Sequence, residues 1–211
     1  DIGIDDNMKI QFDDIYEKIT KKTKLVIIEN PNGFTGQKPN YNQLSQLIKF
    51  LNRKKIFILI DEAYVFLSKK LKSYKIYINK FDNLLVSLSF SKAHGLAGVR
   101  AGCLISNNNN MKVFKNSRPM HEISSITSLS LKWVIEDKNL LSEYLEDQKE
   151  SKKFIFKELN KLNIRFVDTF TNFILIDFSV FEKINVREYL YNNKILVRRP
   201  FDNKKIDNWT R

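Results

Sequence analysis

At 211 residues, with 43% hydrophobic and 12% aromatic side chains, the chain holds enough apolar material for one domain or two lobes, which excludes general disorder. No apolar run approaches the roughly 20 residues that a membrane span needs. Its 36 basic and 24 acidic residues leave a net charge of +12, but the lysines are scattered rather than blocked together, so neither nucleic acid nor a membrane is the expected partner.

The opening Asp1-Ile2-Gly3-Ile4-Asp5-Asp6 has neither the basic region nor the apolar stretch of a secretory leader, and no initiator Met. The expectation is a chain that starts inside a longer protein. Residues 25–28 read as a buried strand closing on a turn cluster. After Pro39, Leu44, Leu47, Ile48 and Leu51 fall at helical spacing. The apolar run 56–60 is that of a strand covered on both faces. Residues 84–88 and 103–105 give two more strands, and 107–110, all asparagine after Ser106 and Ile105, read as a polar turn. Strand and helix in alternation imply crossover units in a three-layer α/β/α, mainly parallel sheet.

From residue 124 to 162 the pattern is helical, interrupted around 137–139. Strand-like stretches follow at 164–167, 173–178 and 195–197, with a short helix over 186–190. This describes a smaller α+β lobe over 138–211 after a sheet domain over 1–137. The single cysteine, Cys103, excludes an internal disulfide or a multi-thiolate metal site, fits a reducing, cytoplasmic home, and is expected to serve as a small packing residue.

Three constellations fall at the carboxyl ends of predicted strands, where open α/β sheets place ligands. They are Asn30-Pro31-Asn32-Gly33-Phe34-Thr35-Gly36, Asp61-Glu62-Ala63-Tyr64, and the stretch from Ser89 through Ser91, Lys92, His94 and Gly98 to Arg100. Each has an ordinary structural explanation: a turn, a helix cap, an anion-binding loop. Together they carry more. A lysine among hydroxyls and glycines, followed by an arginine, suits a cofactor with both an aldehyde and a phosphate. The amine condenses with the aldehyde, Ser89, Ser91 and Arg100 serve the phosphate, and Asp61 can pair with a ring nitrogen. His94 is either a second proton carrier or a wall of the site.

The set Asn-Pro turn, Asp-Glu-Ala-Tyr, Ser-Phe-Ser-Lys-Ala-His-Gly-Leu-Ala-Gly-Val-Arg and Asn172-Phe173-Ile174-Leu175-Ile176 resembles the fold-type I pyridoxal-phosphate aminotransferases, most of all the histidinol-phosphate aminotransferase group. The resemblance implies pyridoxal 5'-phosphate as cofactor, with Lys92 as its covalent attachment and proton shuttle. Asp61 would face the ring nitrogen, Tyr64 the phenolate oxygen, and Ser89, Ser91 and Arg100 the phosphate. Asn172, Arg198 and Arg211 would serve the substrate, Arg211 as the fork for its α-carboxylate. Amino-acid and 2-oxo-acid substrates and a homodimer follow from the same resemblance.

There are departures. The family reads Asn-Pro-Thr-Gly where this chain has Gly33-Phe34-Thr35-Gly36, so the asparagine that meets the phenolate oxygen is a glycine; either Asn32 substitutes for it or Tyr64 carries that contact alone. Members are also longer, with an N-terminal third that completes the phosphate cup, stacks on the ring and reaches the dimer partner. Weak or no cofactor retention is therefore expected of these 211 residues alone. Two alternatives stay open: a decarboxylase of a phosphorylated amino acid on the same fold, and a degenerate, non-catalytic basic module.

Overall fold

A computed structural model describes residues 3–120, 122–137, 139–181, 184–198, 206 and 208–211. A short helix, α1 (Phe12–Lys18), leads into β1 (Leu25–Glu29). The turn after β1 runs into α2 (Tyr41–Arg53), started by Asn40, whose side chain accepts from the amides of Asn42 and Gln43 at 3.0 and 3.2 Å. Such a cap contributes about 1 kcal/mol. Next come β2 (Phe57–Asp61), β3 (Leu84–Ser89) and β4 (Gly102–Ile105). β1, β2 and β3 pair in parallel, and β4 lies antiparallel to β3.

The sheet is thus mainly parallel, as the sequence leads one to expect, with one antiparallel edge strand. Residues 90–101 hold only a 3₁₀ turn at Ala97–Val99, too little for the helical crossover that a parallel neighbour requires. Alternation along the strands sorts their two faces. Ile28, Ile58, Ile60, Leu84, Val86 and Leu88 form one core with Phe12 and Ile15 of α1 and with Leu44, Leu47, Ile48 and Leu51 of α2. Those four α2 residues are at most 1% exposed, and each buried side chain of this size contributes roughly 1.5–3 kcal/mol. The opposite face is not fully covered, contrary to the expectation for the 56–60 run. Ile27 is 58% exposed, and Leu25 and Phe57 are also exposed.

Helix α3 (Asn108–Lys115) begins where the sequence reads as a polar turn. Asn107 Oδ1 accepts from the Asn110 amide at 2.9 Å, so the asparagine run is a cap and a first helical turn. Helices α4 (Ser125–Glu136) and α5 (Leu140–Lys161) follow, with the interruption where the sequence places it. A second sheet joins β5 (Phe166–Val167), β6 (Leu175–Asp177) and, after α6 (Val186–Asn192), β7 (Trp209–Thr210), in the order β5-β6-β7 and all antiparallel. Residues 195–197 form no strand. Their neighbour Arg198 meets the chain end at two points, its amide donating to Arg211 O at 2.9 Å and its carbonyl accepting from Thr210 Oγ1 at 2.7 Å. Leu175, Ile206 and Trp209 form a second core into which Met8, from the start of the chain, also packs. Cys103 is exposed on β4 rather than packed inside, and no described helix is long and apolar enough to cross a membrane.

The turn 30–37 is held at both of its ends. Glu62, fully buried, accepts from Ser73 Oγ at 2.5 Å, the Tyr74 amide at 2.7 Å and Asn30 Nδ2 at 3.3 Å. At the far end, Gly36 has φ +69° and its carbonyl accepts from the Phe170 amide at 2.8 Å, while Gln37 Nε2 donates to Asp168 O at 2.8 Å. A Cβ on Gly36 would stand 2.4 Å from that of Thr169. The turn thus joins the first sheet to the second lobe.

Gly36→Ala therefore meets both a left-handed backbone, costing about 1–2 kcal/mol, and a collision with Thr169. A lowered urea midpoint is expected, and an unchanged one contradicts this packing. Burial, partly offset by its three donors, raises the Glu62 carboxyl above its ordinary range. A carboxyl raised on folding favours the folded state while protonated. Its contribution is present at low pH and is lost as pH rises from the unfolded value, about 4.3, through the folded one. The unfolding free energy of the native chain should carry this downward slope and that of Glu62→Gln should lack it; parallel pH profiles contradict the assignment.

Candidate active site

The site is built on the carboxyl ends of β1, β2 and β3. Parallel register puts Glu29 opposite Asp61 and Asp61 opposite Ser87, so these side chains share one face of the sheet edge. Asp61 Oδ1 accepts from the Ala63 amide at 3.0 Å and from Ser87 Oγ at 3.1 Å. Its second oxygen has no hydrogen-bond donor among the described residues. The tight turn that follows carries Tyr64, whose ring meets Phe173 edge-on with centroids 6.2 Å apart.

The connection from β3 to β4 carries the second group. Ser89 Oγ accepts from the Ser91 amide at 3.1 Å, a local turn that lifts the next residue off the sheet edge. Lys92 is exposed, and its Nζ lies 5.0 Å from the centre of the Tyr64 ring. His94 is wedged between Phe66 and Phe90, each ring centre 5.1 Å away, and burial lowers its pKa. Its ring is thus packed between two aromatic rings. Arg100 adopts φ +56°, and its exposed guanidinium bends back to Ala97 O at 3.3 Å.

The chain end supplies the third group. Arg211 Nη1 donates to Gly33 O at 2.6 Å, and its guanidinium carbon sits 4.4 Å from the centre of the Phe173 ring. Burial lowers its pKa, and the nearby charge of Arg198 adds to the effect. A continuous run of contacts therefore links Lys92, Tyr64, Phe173, Arg211 and Gly33.

Of the residues singled out from sequence, Asp61, Tyr64, Ser89, Ser91 and Lys92 gather on one edge, and Arg198 and Arg211 lie beside each other. Arg100 contacts its own turn. Asn172 points its amide toward the Tyr144 hydroxyl at 3.5 Å. Asn32 spends its side chain inside the turn: Nδ2 donates to Glu29 at 2.6 Å, and Oδ1 accepts from the Phe34 and Thr35 amides at 3.0 and 2.7 Å. It is therefore not the replacement contact expected of it, and Tyr64 is the nearer candidate. Sequence reasoning missed Glu29 and the ring of Phe173. The available signal was an acid ending an apolar strand just before an Asn-Gly turn.

The donor set has a defined chemical fit. One amine, one carboxylate with a free oxygen, two strand-end hydroxyls and one guanidinium match an aldehyde, a ring nitrogen and a phosphate. Two adjacent arginines match an anionic ligand beyond them. No group of three or more metal-ligating side chains occurs among the described residues.

The family model for aminotransferase class I and II matches residues 3–211. A histidinol-phosphate aminotransferase from Clostridium beijerinckii is 32% identical over 213 residues, covering 100% of this chain and 57% of the relative. The crystal structure of the histidinol-phosphate aminotransferase from Clostridium acetobutylicum superposes with a TM-score of 0.86 at 27% identity, over 99% of this chain and 64% of that one. That of the Sinorhizobium meliloti histidinol-phosphate aminotransferase in complex with pyridoxal-5'-phosphate has a TM-score of 0.82 at 19% identity, over 98% of this chain and 57% of that one. The chain spans just over half the length of the curated relatives it matches.

Proposed function

The chain belongs to the class I and II aminotransferases, and on that premise we propose that its parent protein moves an amino group between a small anionic amino acid and a 2-oxo acid, with pyridoxal 5'-phosphate as cofactor. The observation that carries the reading is the placement of the Lys92 amine over Tyr64, three residues beyond Asp61, at the ends of adjacent parallel strands. The relatives named as histidinol-phosphate aminotransferases support a phosphorylated substrate. So does the pairing of Arg198 with Arg211.

In this reading Lys92 holds the cofactor by its amine, Asp61 offers its free oxygen to the ring nitrogen, and Tyr64 its hydroxyl to the phenolate oxygen. Ser89, Ser91 and Arg100 take the phosphate, Arg100 swinging from its weak contact with Ala97. When bound, the cofactor supplies a sink for the electrons left on the substrate's α-carbon. The Lys92 amine would take up and hand on the α-proton, and its exposure leaves it the mobility to do so. Arg211 grips the α-carboxylate from a guanidinium oriented by Gly33 O and Phe173. The positive charge of Arg198 extends the site toward a second anionic group, and Asn172 lines its small-lobe side. The reading includes a homodimer, a cytoplasmic home and a domain division near residue 138. These rest on the resemblance, the single thiol and the break between α4 and α5.

With the complete gene product, added pyridoxal phosphate should give a pH-dependent visible band. Lys92→Ala should abolish it and cut amino transfer by about 10²-fold or more. A wild-type protein without the band, or a variant that keeps it, contradicts the reading. Arg211→Lys keeps a charge but loses the fork. It should raise KM for the amino donor about tenfold or more, with a smaller change in kcat; an unchanged KM removes Arg211 from the site.

A further inference from the structure

The carboxylate of Glu29 lies inside the site's edge and no role has been given to it. Its Oε2 accepts from the Gly33 amide at 2.8 Å and from Asn32 Nδ2 at 2.6 Å. A Cβ on Gly33 would stand 3.6 Å from Glu29 Oε1 and 3.3 Å from Tyr64 Cε2, so the carboxylate flanks the surface that the glycine turns toward Tyr64. Strand register fixes it there, opposite Asp61.

We propose that Glu29 is a positioning residue for substrate binding, which sets the Gly33 carbonyl on which Arg211 is anchored. This rests on the reading of Arg211 as the carboxylate fork. A glycine has wide backbone freedom, so a carbonyl on it points nowhere in particular unless both adjoining peptide planes are held. Here both are. The plane before Gly33 is held directly, by its amide on Glu29. The plane after it is held by the Phe34 amide on Asn32 Oδ1 at 3.0 Å, and Asn32 is itself held by Glu29. Arg211 Nη1 then meets a fixed acceptor at 2.6 Å, with Phe173 against its face. Both donors converge on one oxygen of Glu29. The requirement is therefore for an acceptor at the right reach rather than for a negative charge, since one carbonyl oxygen can accept twice.

Glu29→Gln and Glu29→Asp separate the two. Glutamine keeps an acceptor at the same reach without charge, whereas aspartate keeps the charge one methylene short. The measurement is calorimetric binding of succinate, a carboxylate probe that needs no turnover, to the complete protein. It is made with each variant alone and in an Arg211→Ala background, with urea midpoints as the check on folding. Glu29→Asp should weaken succinate about tenfold and Glu29→Gln should restore it to within about twofold of wild type. With Arg211→Ala already in place, Glu29→Asp should change nothing further. The same split should appear as a raised KM for the amino donor with kcat nearly unchanged. Native affinity in Glu29→Asp, or a loss that persists without Arg211, overturns the role of Glu29. If Arg211→Ala alone leaves succinate binding at the wild-type value, the assignment of Arg211 fails first and takes this inference with it. Should Glu29→Asp not fold, faster hydrogen exchange of the Gly33 amide in Asn32→Ala, together with weakened succinate, supports the clamp. Unchanged exchange and affinity there overturn it.

Discussion

Parallel pairing of β2 with β3, in the register that sets Asp61 against Ser87, is the constraint on which the rest of the site depends. It brings both strand ends to one edge and leaves the following turns no choice but to face each other. A slip by one residue would turn Asp61 to the other face of the sheet and bring an apolar neighbour to the edge. The register is held from inside by Ile58, Ile60, Leu84 and Val86, each fully buried against α2. Core packing and site geometry are thus one problem: the side chains that exclude water from one face of the sheet align the polar groups at its end.

Charge is distributed in the same economical way. The buried Glu62 is surrounded by three donors from two segments; it holds Asn30 and the 73–74 turn in place behind the site. In front, burial lowers the Arg211 pKa and the nearby charge of Arg198 adds to it. Two neighbouring guanidinium groups repel in the absence of an anion and bind one more strongly for it. Arg211 is at the same time oriented by the Gly33 carbonyl and the Phe173 ring face.

Much of this was legible in the sequence, for physical reasons that differ from element to element. The spacing of Leu44, Leu47, Ile48 and Leu51 marks α2 because one helical face alone enters the core. The strand ends were legible because Glu29, Asp61 and Ser89 stop the apolar stretches before turn residues. Other parts were hidden. β7 has two residues and therefore no period to detect, yet it delivers Arg211. The run 107–110 has the composition of a turn because the side chains that make turns also cap helices. Residues 195–197 look like a strand but pair with none among the described residues. The antiparallel β4 depended on the shortness of its connection, and the role given to Asn32 failed because a turn consumed both ends of its amide. Glu29 was easily passed over, since an acid closing a strand before an Asn-Gly turn does not by itself show which amides it holds.

The central claim is that one lysine amine and one strand-end carboxylate serve a single bound ring. The most direct measurement is borohydride fixation of pyridoxal phosphate on the complete protein, followed by peptide mass mapping. The account predicts a pyridoxyl adduct confined to the peptide that contains Lys92. An adduct spread over the many other lysines, or none at all, would contradict it.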